Sequence, residues 1–184
     1  GHATSTGYPI PQGKIKIIDP EGSTTSELPI GEIGEIALKS TSIAISYLGN
    51  TSLNREKFIT GWWRSGDLGY MNEDGLLFVK GRLDNRINSG GIKVYAEEIE
   101  AALLLHPDIQ LAAVIGKPDK KWGEKLEAYL VSKNPALTEL EISEYCINND
   151  ILPAHLVPKA IYFRDTLPIG PTGKLFRRGL NTTQ

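Results

Sequence analysis

The sequence predicts an α+β protein in two parts, because the hydrophobic pattern changes character once along its 184 residues. Up to about residue 80, short apolar runs alternate with polar residues, which is typical of strands. After Lys80 and Gly81, strand-like runs alternate with segments of helical period. We therefore expect a β-rich part over residues 4–80 and a small mixed α/β domain over residues 81–184. The second part should contain a sheet of about three strands with flanking helices.

The first part has the composition of short strands with one short helix. Residues 14–19 and 31–39 alternate between apolar and polar side chains, as half-buried strands do. Residues 53–58 are predicted to form a short helix ahead of Gly61. Residues 72–75, Asn-Glu-Asp-Gly, lie between two apolar runs and are typical of a hairpin turn. This part is therefore expected to be mainly β-structure.

Three strands are predicted in the second part. They are residues 109–116, 125–132 and 160–163. The first of them is nearly all apolar, and continuous apolar strands are usually covered on both faces. We therefore expect it to occupy a central position in its sheet.

Two helices are predicted beside these strands. Residues 96–105 carry apolar side chains at helical spacing. That helix is expected to end at Leu105, because His106 precedes a proline and such a residue avoids the α conformation. Thr138 and Glu141 have the spacing of a capping box, which predicts the start of the second helix.

The composition excludes several classes of protein. A net charge of -2 argues against a broad basic face for nucleic acid or anionic membranes, and no apolar run is long enough to be a transmembrane segment. The single cysteine, Cys146, cannot form an internal disulfide, and no secretory signal is present, so a reducing cytoplasm is expected. Three scattered histidines and one cysteine lack the spacing of metal ligands, so no metal site is predicted.

Two charged residues of the first part are candidates for nucleotide binding. Asp67 lies in a glycine-flanked turn behind two tryptophans, where a carboxylate can accept two hydrogen bonds from a diol such as a ribose. Arg82 follows a glycine and could pair with a carboxylate or reach a ribose or phosphate. Both residues have a simpler interpretation, an aspartate in a strand-end turn and a solvated arginine.

Lys174 is the candidate for electrostatic catalysis. It ends the segment Pro-Thr-Gly-Lys, whose Pro171 and Gly173 restrict the path of the loop. A lysine there can be delivered to a substrate as a point charge, although a solvated loop lysine is the simpler interpretation. The segment is not a P-loop, because no Ser or Thr follows Lys174. A dinucleotide-binding GxGxxG fingerprint is also absent from the sequence.

Three segments in a fixed order resemble a known family. They are WWRSGDLG at residues 62–69, GRLDNRINSGGIKVYAEEIE at residues 81–100 and LPIGPTGK at residues 167–174. Together they resemble the C-terminal end of the adenylate-forming superfamily, which includes acyl-CoA synthetases, the adenylation domains of nonribosomal peptide synthetases and luciferases. The resemblance extends from about residue 6 to about residue 180. It implies that residues 4–80 end the large domain and that residues 81–184 form the mobile small C-terminal domain.

The resemblance implies roles for four residues in adenylation. Asp67 matches the aspartate that binds the ribose hydroxyls of ATP, and Arg82 matches the arginine that supports the same ribose. Asp84 falls at the hinge about which the small domain swings between two orientations. Lys174 matches the lysine that contacts the carboxylate and the α-phosphate.

A second set of residues is implied for the thioester step. Gly90, Gly91 and Lys93 fall in the loop that faces the adenylate and the pantetheine of CoA or a carrier protein in the second orientation. Lys93 stands where many members have arginine, so the bidentate fork is lost while the charge is kept. Asn88 stands where some relatives carry a lysine, so this chain has no side-chain cation at that position.

The function implied by the resemblance is that of an ATP-dependent ligase, which forms an acyl-AMP and then a thioester with CoA. ATP with Mg²⁺ and CoA, or the phosphopantetheine of a carrier protein, would be its cofactors, and a small carboxylic acid its substrate. The family's phosphate loop lies upstream of the matching segments, so this chain is expected to need a missing N-terminal domain, to hold no cofactor tightly and to be inactive alone. Loading of an acyl or peptidyl carrier protein and a non-catalytic docking module are the alternatives.

Overall fold

The computed structural model describes residues 5–22 and 25–181, which form two compact units. The first unit ends at Asp84 and the second begins at Asn85. Residue 4, at the start of the first predicted part, and residues 182–184, at the end of the second, lie outside the described residues.

The first unit is built on an antiparallel sheet of five strands, counted among the described residues. Strand β4 is its centre, because β2, β3 and β5 all pair with it, and β1 pairs with the far side of β2. The predicted strands, short helix and hairpin are all present. The elements are β1 Gly13–Ile18, β2 Gly34–Ser40, α1 Thr51–Lys57, β3 Phe58–Ile59, β4 Trp62–Met71 and β5 Leu77–Arg82.

The alternation that predicts strands in this unit also places its core. Ile17 lies directly opposite Ile36 in the β1–β2 ladder, and both pack with Leu77 in one apolar cluster. The opposite face of the sheet is also covered, because Ile18 and Leu68 are almost fully buried. Both faces of β2 are therefore enclosed.

The second unit contains another five-stranded sheet and two helices, counted in the same way. The expectation of about three strands is therefore wrong in number. The two additional strands, β6 and β7, form a hairpin in the stretch expected to be a loop around Gly90 and Gly91. The elements are β6 Arg86–Ser89, β7 Ile92–Tyr95, α2 Ala96–Leu103, β8 Ile109–Asp119, β9 Gly123–Ser132, α3 Glu139–Asn148 and β10 Ala160–Phe163.

The position predicted for β8 is wrong as well. Among the described strands β8 pairs only with β9, whereas β9 pairs with β6, β8 and β10. β8 is apolar because both of its faces are covered. Val114 belongs to the core that includes α2 and α3, and Ala113 packs on the other side with Leu167 and Leu180. The C-terminal segment supplies the second cover, so burial here does not require strands on both edges.

Local signals set the ends of the two helices. In α3, Glu141 N donates to Thr138 Oγ1 at 3.3 Å, and Thr138 N donates to Glu141 Oε2 at 2.8 Å, as the capping box predicts. α2 ends at Leu103, two residues earlier than expected, because the chain tightens into a turn in which His106 N donates to Leu103 O. No helix that the structure describes is long and apolar enough to cross a membrane.

Replacing Thr138 by alanine should lower the free energy of unfolding by about 1 kcal/mol, because the Glu141 amide loses its acceptor. Thr138→Ser keeps a hydroxyl in the same place and is the matched control. Urea unfolding followed by circular dichroism measures both variants. An equal loss in Thr138→Ser and Thr138→Ala would contradict the capping role.

Candidate functional site

Asp67 and Arg82 are brought together in the first unit. They are directly opposed in the β4–β5 ladder, and Arg82 Nη1 donates to Asp67 Oδ1 at 2.8 Å. The same nitrogen donates to the Ser65 carbonyl oxygen at 3.1 Å. The Asp67 side chain is 39% exposed and that of Arg82 47% exposed. The pair is thus oriented by its strands and remains open to a ligand.

Two glycines make this arrangement possible. The register shifts between Leu68 and Gly69, and a Cβ on Gly69 would lie 2.4 Å from the Phe78 carbonyl oxygen. Gly66 has a φ of +76°, and a Cβ there would lie 3.0 Å from Arg82 Nη2. Larger residues at either position would collide with the partner strand or with the guanidinium group.

Asp67 lies within strand β4 and not in the turn that the sequence suggested. A buried ion pair supports the backbone beside it. Glu35 in β2 is fully buried, and its Oε2 accepts from Arg64 Nε at 2.7 Å. Its other oxygen, Oε1, accepts from Gly66 N at 2.9 Å. Sequence reasoning missed both residues. The available signal was the position of Glu35 beside apolar residues in a predicted strand. A carboxylate buried at such a position requires a partner.

Gly90 and Gly91 connect β6 to β7 as a two-residue turn. Both have positive φ, +62° and +81°, as the primed turns of tight hairpins require. Gly90 N donates to the Trp122 carbonyl oxygen at 2.8 Å, and a Cβ on Gly90 would lie 3.0 Å from the Trp122 ring. Lys93 is exposed on β7, opposite Asn88. The predicted thioester loop is therefore a hairpin tip packed against Trp122.

The turn between β8 and β9 holds Trp122 in place. Asp119 Oδ1 accepts from Lys121 N at 2.8 Å and from Trp122 N at 3.0 Å. These two backbone hydrogen bonds stabilise the charged form of Asp119 and so hold its pKa below the usual value. The Lys121 ammonium lies 4.8 Å from the centre of the Trp122 ring. One lysine thus lies over the ring that packs against the hairpin tip, and the Glu124 carboxylate accepts from Asn88 N of the same hairpin.

Lys174 lies in a closed turn of the second unit. Gly170 N donates to Lys174 O at 2.8 Å, and Gly173 N donates to Gly170 O at 3.0 Å. Phe176 N donates to Pro168 O at 2.8 Å, and this hydrogen bond closes the base of the turn. The Lys174 side chain is exposed. The backbone that carries the lysine is therefore ordered by its own hydrogen bonds, while the ammonium group faces solvent.

An ion pair anchors the segment that follows Lys174. Arg177 Nε donates to Glu100 Oε1 at 3.0 Å, and Arg177 Nη2 donates to Glu100 Oε2 at 2.6 Å. Burial raises the pKa of Glu100, and the hydrogen bonds from Arg177 and the Val114 amide oppose that shift. Sequence reasoning missed this pair. Glu100 lies one helical turn after Ala96, on the apolar face of α2, and that placement was the available signal.

Asp84 lies where one unit ends and the other begins. It belongs to a 3₁₀ turn, Leu83–Asn85, and its side chain is exposed. The next residue is tied into the second unit, because Asn85 Nδ2 donates to Glu97 Oε1 at 2.5 Å. The role of Asp84 as a hinge remains a prediction.

Comparison with known proteins identifies the family. Residues 98–174 match the AMP-binding enzyme C-terminal domain family. A 2-succinylbenzoate–CoA ligase of Bacillus licheniformis is 42% identical over 176 residues, which cover 96% of this chain and 35% of that ligase. Residues 98–174 therefore belong to the AMP-binding enzyme C-terminal domain family. The chain spans about a third of the length of the curated relatives it matches.

Solved structures of this family have the same fold. The o-succinylbenzoate CoA synthetase of Bacillus subtilis, in complex with the acyl-adenylate intermediate OSB-AMP, matches with a TM-score of 0.89 and 35% identity. The match covers 98% of this chain and 36% of that one. The same enzyme in complex with ATP and a magnesium ion matches with a TM-score of 0.86 and 34% identity, over 96% of this chain and 35% of that one.

One further relative is named for a different acyl acceptor. The fatty acid–[acyl-carrier-protein] ligase ScoC of Streptomyces coeruleorubidus is 35% identical over 179 residues, which cover 96% of this chain and 33% of that ligase. Relatives of the same family are therefore named for either CoA or a carrier protein as acceptor.

The raised pKa of Glu100 predicts a specific dependence of stability on pH. An unfolded glutamate has a pKa of about 4.3. Because the folded-state pKa is higher, stability from Glu100 is full below the unfolded value and is lost as the pH rises through the folded value. The free energy of unfolding of the wild type should therefore fall relative to Glu100→Gln as the pH rises from about 4 through the folded-state pKa. Urea unfolding at several pH values measures this difference, and a difference that rises with pH would mean that Arg177 outweighs burial.

Proposed function

We propose that this chain is the C-terminal part of an ATP-dependent ligase that forms an acyl-AMP and then transfers the acyl group to CoA. The observation that carries the proposal is Lys174, an exposed lysine on an ordered turn within a segment of the AMP-binding enzyme C-terminal domain family. Residues 4–80 would end the large domain of this enzyme, and residues 81–184 would be its mobile small domain. The carboxylic acid and the thiol would be its substrates.

The nucleotide would be held through its ribose. Asp67 keeps an exposed carboxylate that can accept hydrogen bonds from two hydroxyl groups, and Arg82 fixes its orientation. These residues fit the sugar of ATP. The described residues hold no group of three or more His, Cys, Asp or Glu side chains placed to bind a metal ion.

Lys174 would act in the first half-reaction by charge alone. A carboxylate that attacks the α-phosphate brings two anionic groups together, and a cation near both oxygens stabilises the transition state. Removal of one preorganised donor of this kind typically slows a reaction by about 100-fold or more. ATP supplies the adenylyl group and the pyrophosphate that leaves.

The second half-reaction would use the other face of the small domain. In this proposal rotation at Asp84 withdraws Lys174 and presents the Gly90–Gly91 turn and Lys93 to the adenylate. The turn has no side chains of its own, so a thin pantetheine arm can approach its backbone. One hinge with two orientations thereby serves two reactions.

An acyl carrier protein is the second candidate acceptor, because a relative is named for it. A non-catalytic docking module is less well supported, because a scaffold has no need of Asp67, Arg82 and Lys174 together. A reducing cytoplasm is the proposed location, since Cys146 is buried and has no disulfide partner in the described chain.

In the full-length enzyme, Lys174→Ala should reduce acid-dependent pyrophosphate exchange by about 100-fold or more. Thioester formation from supplied acyl-AMP should be nearly unchanged, because Lys174 is withdrawn in that orientation. Arg178→Ala removes an exposed cation a few residues away and is the matched control. An equal loss in both assays would contradict the division of labour between the two steps.

Asp84→Pro should separate the two half-reactions, because proline restricts φ to about -65° and trapping one orientation blocks the swing. Pyrophosphate exchange should stay within a few-fold of wild type, while thioester formation falls by orders of magnitude. Asp84→Ala, which leaves φ free, is the control for the lost carboxylate. If Asp84→Pro spares thioester formation, or lowers both steps together with stability, Asp84 is not the hinge.

A further inference from the structure

Arg177 contacts two acidic residues of α2 and lies three residues beyond Lys174. We propose that Arg177 is the positioning residue of the Lys174 turn, and that Glu97 links this anchor to Asn85 at the start of the second unit. The inference rests on the proposed function, because it gives the turn a catalytic lysine to position. It assigns a role to Glu97, Glu100 and Arg177, which the mechanism above does not use.

Apolar side chains also attach the Lys174 turn to its unit, and Leu175, next to the lysine, is partly buried against them. Leu167 before it and Leu180 after it are buried in the apolar cluster on β8 and β9. Such apolar contacts hold the segment against the sheet but are not directional. The hydrogen bonds inside the turn set its shape, not its orientation. A directional contact is needed to orient the lysine.

Arg177 supplies that direction. Both of its bonds to Glu100 are short, at 3.0 and 2.6 Å, and together they form a bidentate pair. Glu100 is only 8% exposed, and its Oε1 also accepts from Val114 N at 2.8 Å. The carboxylate therefore joins three elements: helix α2, strand β8 and the segment after Lys174. A planar guanidinium group with two bonds to it has little freedom to rotate.

Glu97 extends the same network toward the start of the unit. Arg177 Nη2 lies 3.5 Å from Glu97 Oε1, the oxygen that accepts from Asn85 Nδ2 at 2.5 Å. Glu97 Oε2 is buried and accepts no hydrogen bond from any residue that the structure describes. A carboxylate held on one oxygen alone is sensitive to the position of both donors. A change at Asn85, the residue after the proposed hinge, would therefore shift the Glu97 carboxylate and with it the contact to Arg177.

The first test measures the rate of amide hydrogen exchange in the Lys174 turn of the 184-residue chain. Because Arg177→Leu alone leaves the Glu100 charge buried without its partner and risks unfolding, the main variant is the double Glu100→Gln, Arg177→Leu. Glutamine keeps an acceptor for the Val114 amide. The Gly170 amide, which bonds to Lys174 O, should exchange its hydrogen about tenfold faster or more, while amides of β9 remain unchanged.

Two further variants sharpen this readout. Arg178→Leu alters an exposed arginine next to Arg177 and should leave exchange at Gly170 unchanged. Asn85→Ala should speed exchange at Gly170 by about twofold or more, although Asn85 is distant from Gly170 in the sequence. No change in Asn85→Ala would overturn the link through Glu97. No change in the double variant would overturn the positioning role itself.

The second test uses both half-reactions of the full-length enzyme. The double variant should lower kcat for pyrophosphate exchange by about 10- to 100-fold, as expected when a catalytic group is misplaced by about 1 Å. KM for ATP and thioester formation from supplied acyl-AMP should stay within about threefold of wild type. Arg177→Lys, which keeps the charge without the fork, should recover part of the rate.

The outcomes separate this inference from the proposed function. If Lys174→Ala does not slow pyrophosphate exchange, the proposed function is wrong. If Lys174→Ala slows it and the double variant does not, the proposed function stands and the positioning role is wrong. Equal losses in both half-reactions, together with faster exchange throughout β9, would show that Arg177 only stabilises the fold and would also overturn the inference.

Discussion

A buried carboxylate, held by one arginine and one main-chain amide, fixes the candidate functional segment of each unit to its sheet. In the first unit Glu35 accepts from Arg64 and from the amide of Gly66, the residue before Asp67. In the second, Glu100 accepts from Arg177 and the Val114 amide, beside the Lys174 turn. Both carboxylates are almost fully buried. An ion pair with one partner removed would leave a charge buried without compensation, so each arginine is needed beside its carboxylate.

Pairs of this kind are suited to setting geometry more than to adding stability. Moving two charges out of water costs much of the free energy that their attraction returns, whereas removing one partner alone costs about 3–5 kcal/mol. A bidentate pair also accepts only a narrow range of orientations. The residues proposed to meet substrate, Asp67, Arg82 and Lys174, lie instead at least partly exposed on the segments so held. In each unit, a buried ion pair orients the segment, and the charged candidate residue on that segment is accessible to solvent.

Local patterns predicted most of the elements. The alternation of residues 14–19 gave β1, and the Thr138–Glu141 capping box marked the start of α3. Two expectations failed, for different reasons. The stretch around Gly90 is a hairpin, and its two-residue Gly-Gly turn was a local signal that the sequence analysis missed. Strand β8 is an edge strand, and the C-terminal segment, not a further strand, covers its second face.

By itself, the sequence determined the α+β class, the position of the turns and caps, and the family, because these depend on neighbouring residues or on motifs in a fixed order. Only the tertiary structure decided how the functional side chains are supported. It placed Arg82 on Asp67, buried Glu35 under the Gly66 amide and brought Arg177 to Glu100. These partners are far apart along the chain, and a charged residue looks the same in sequence whether it is solvated or paired. Burial distinguishes the two cases, and burial exists only once the sheets have formed.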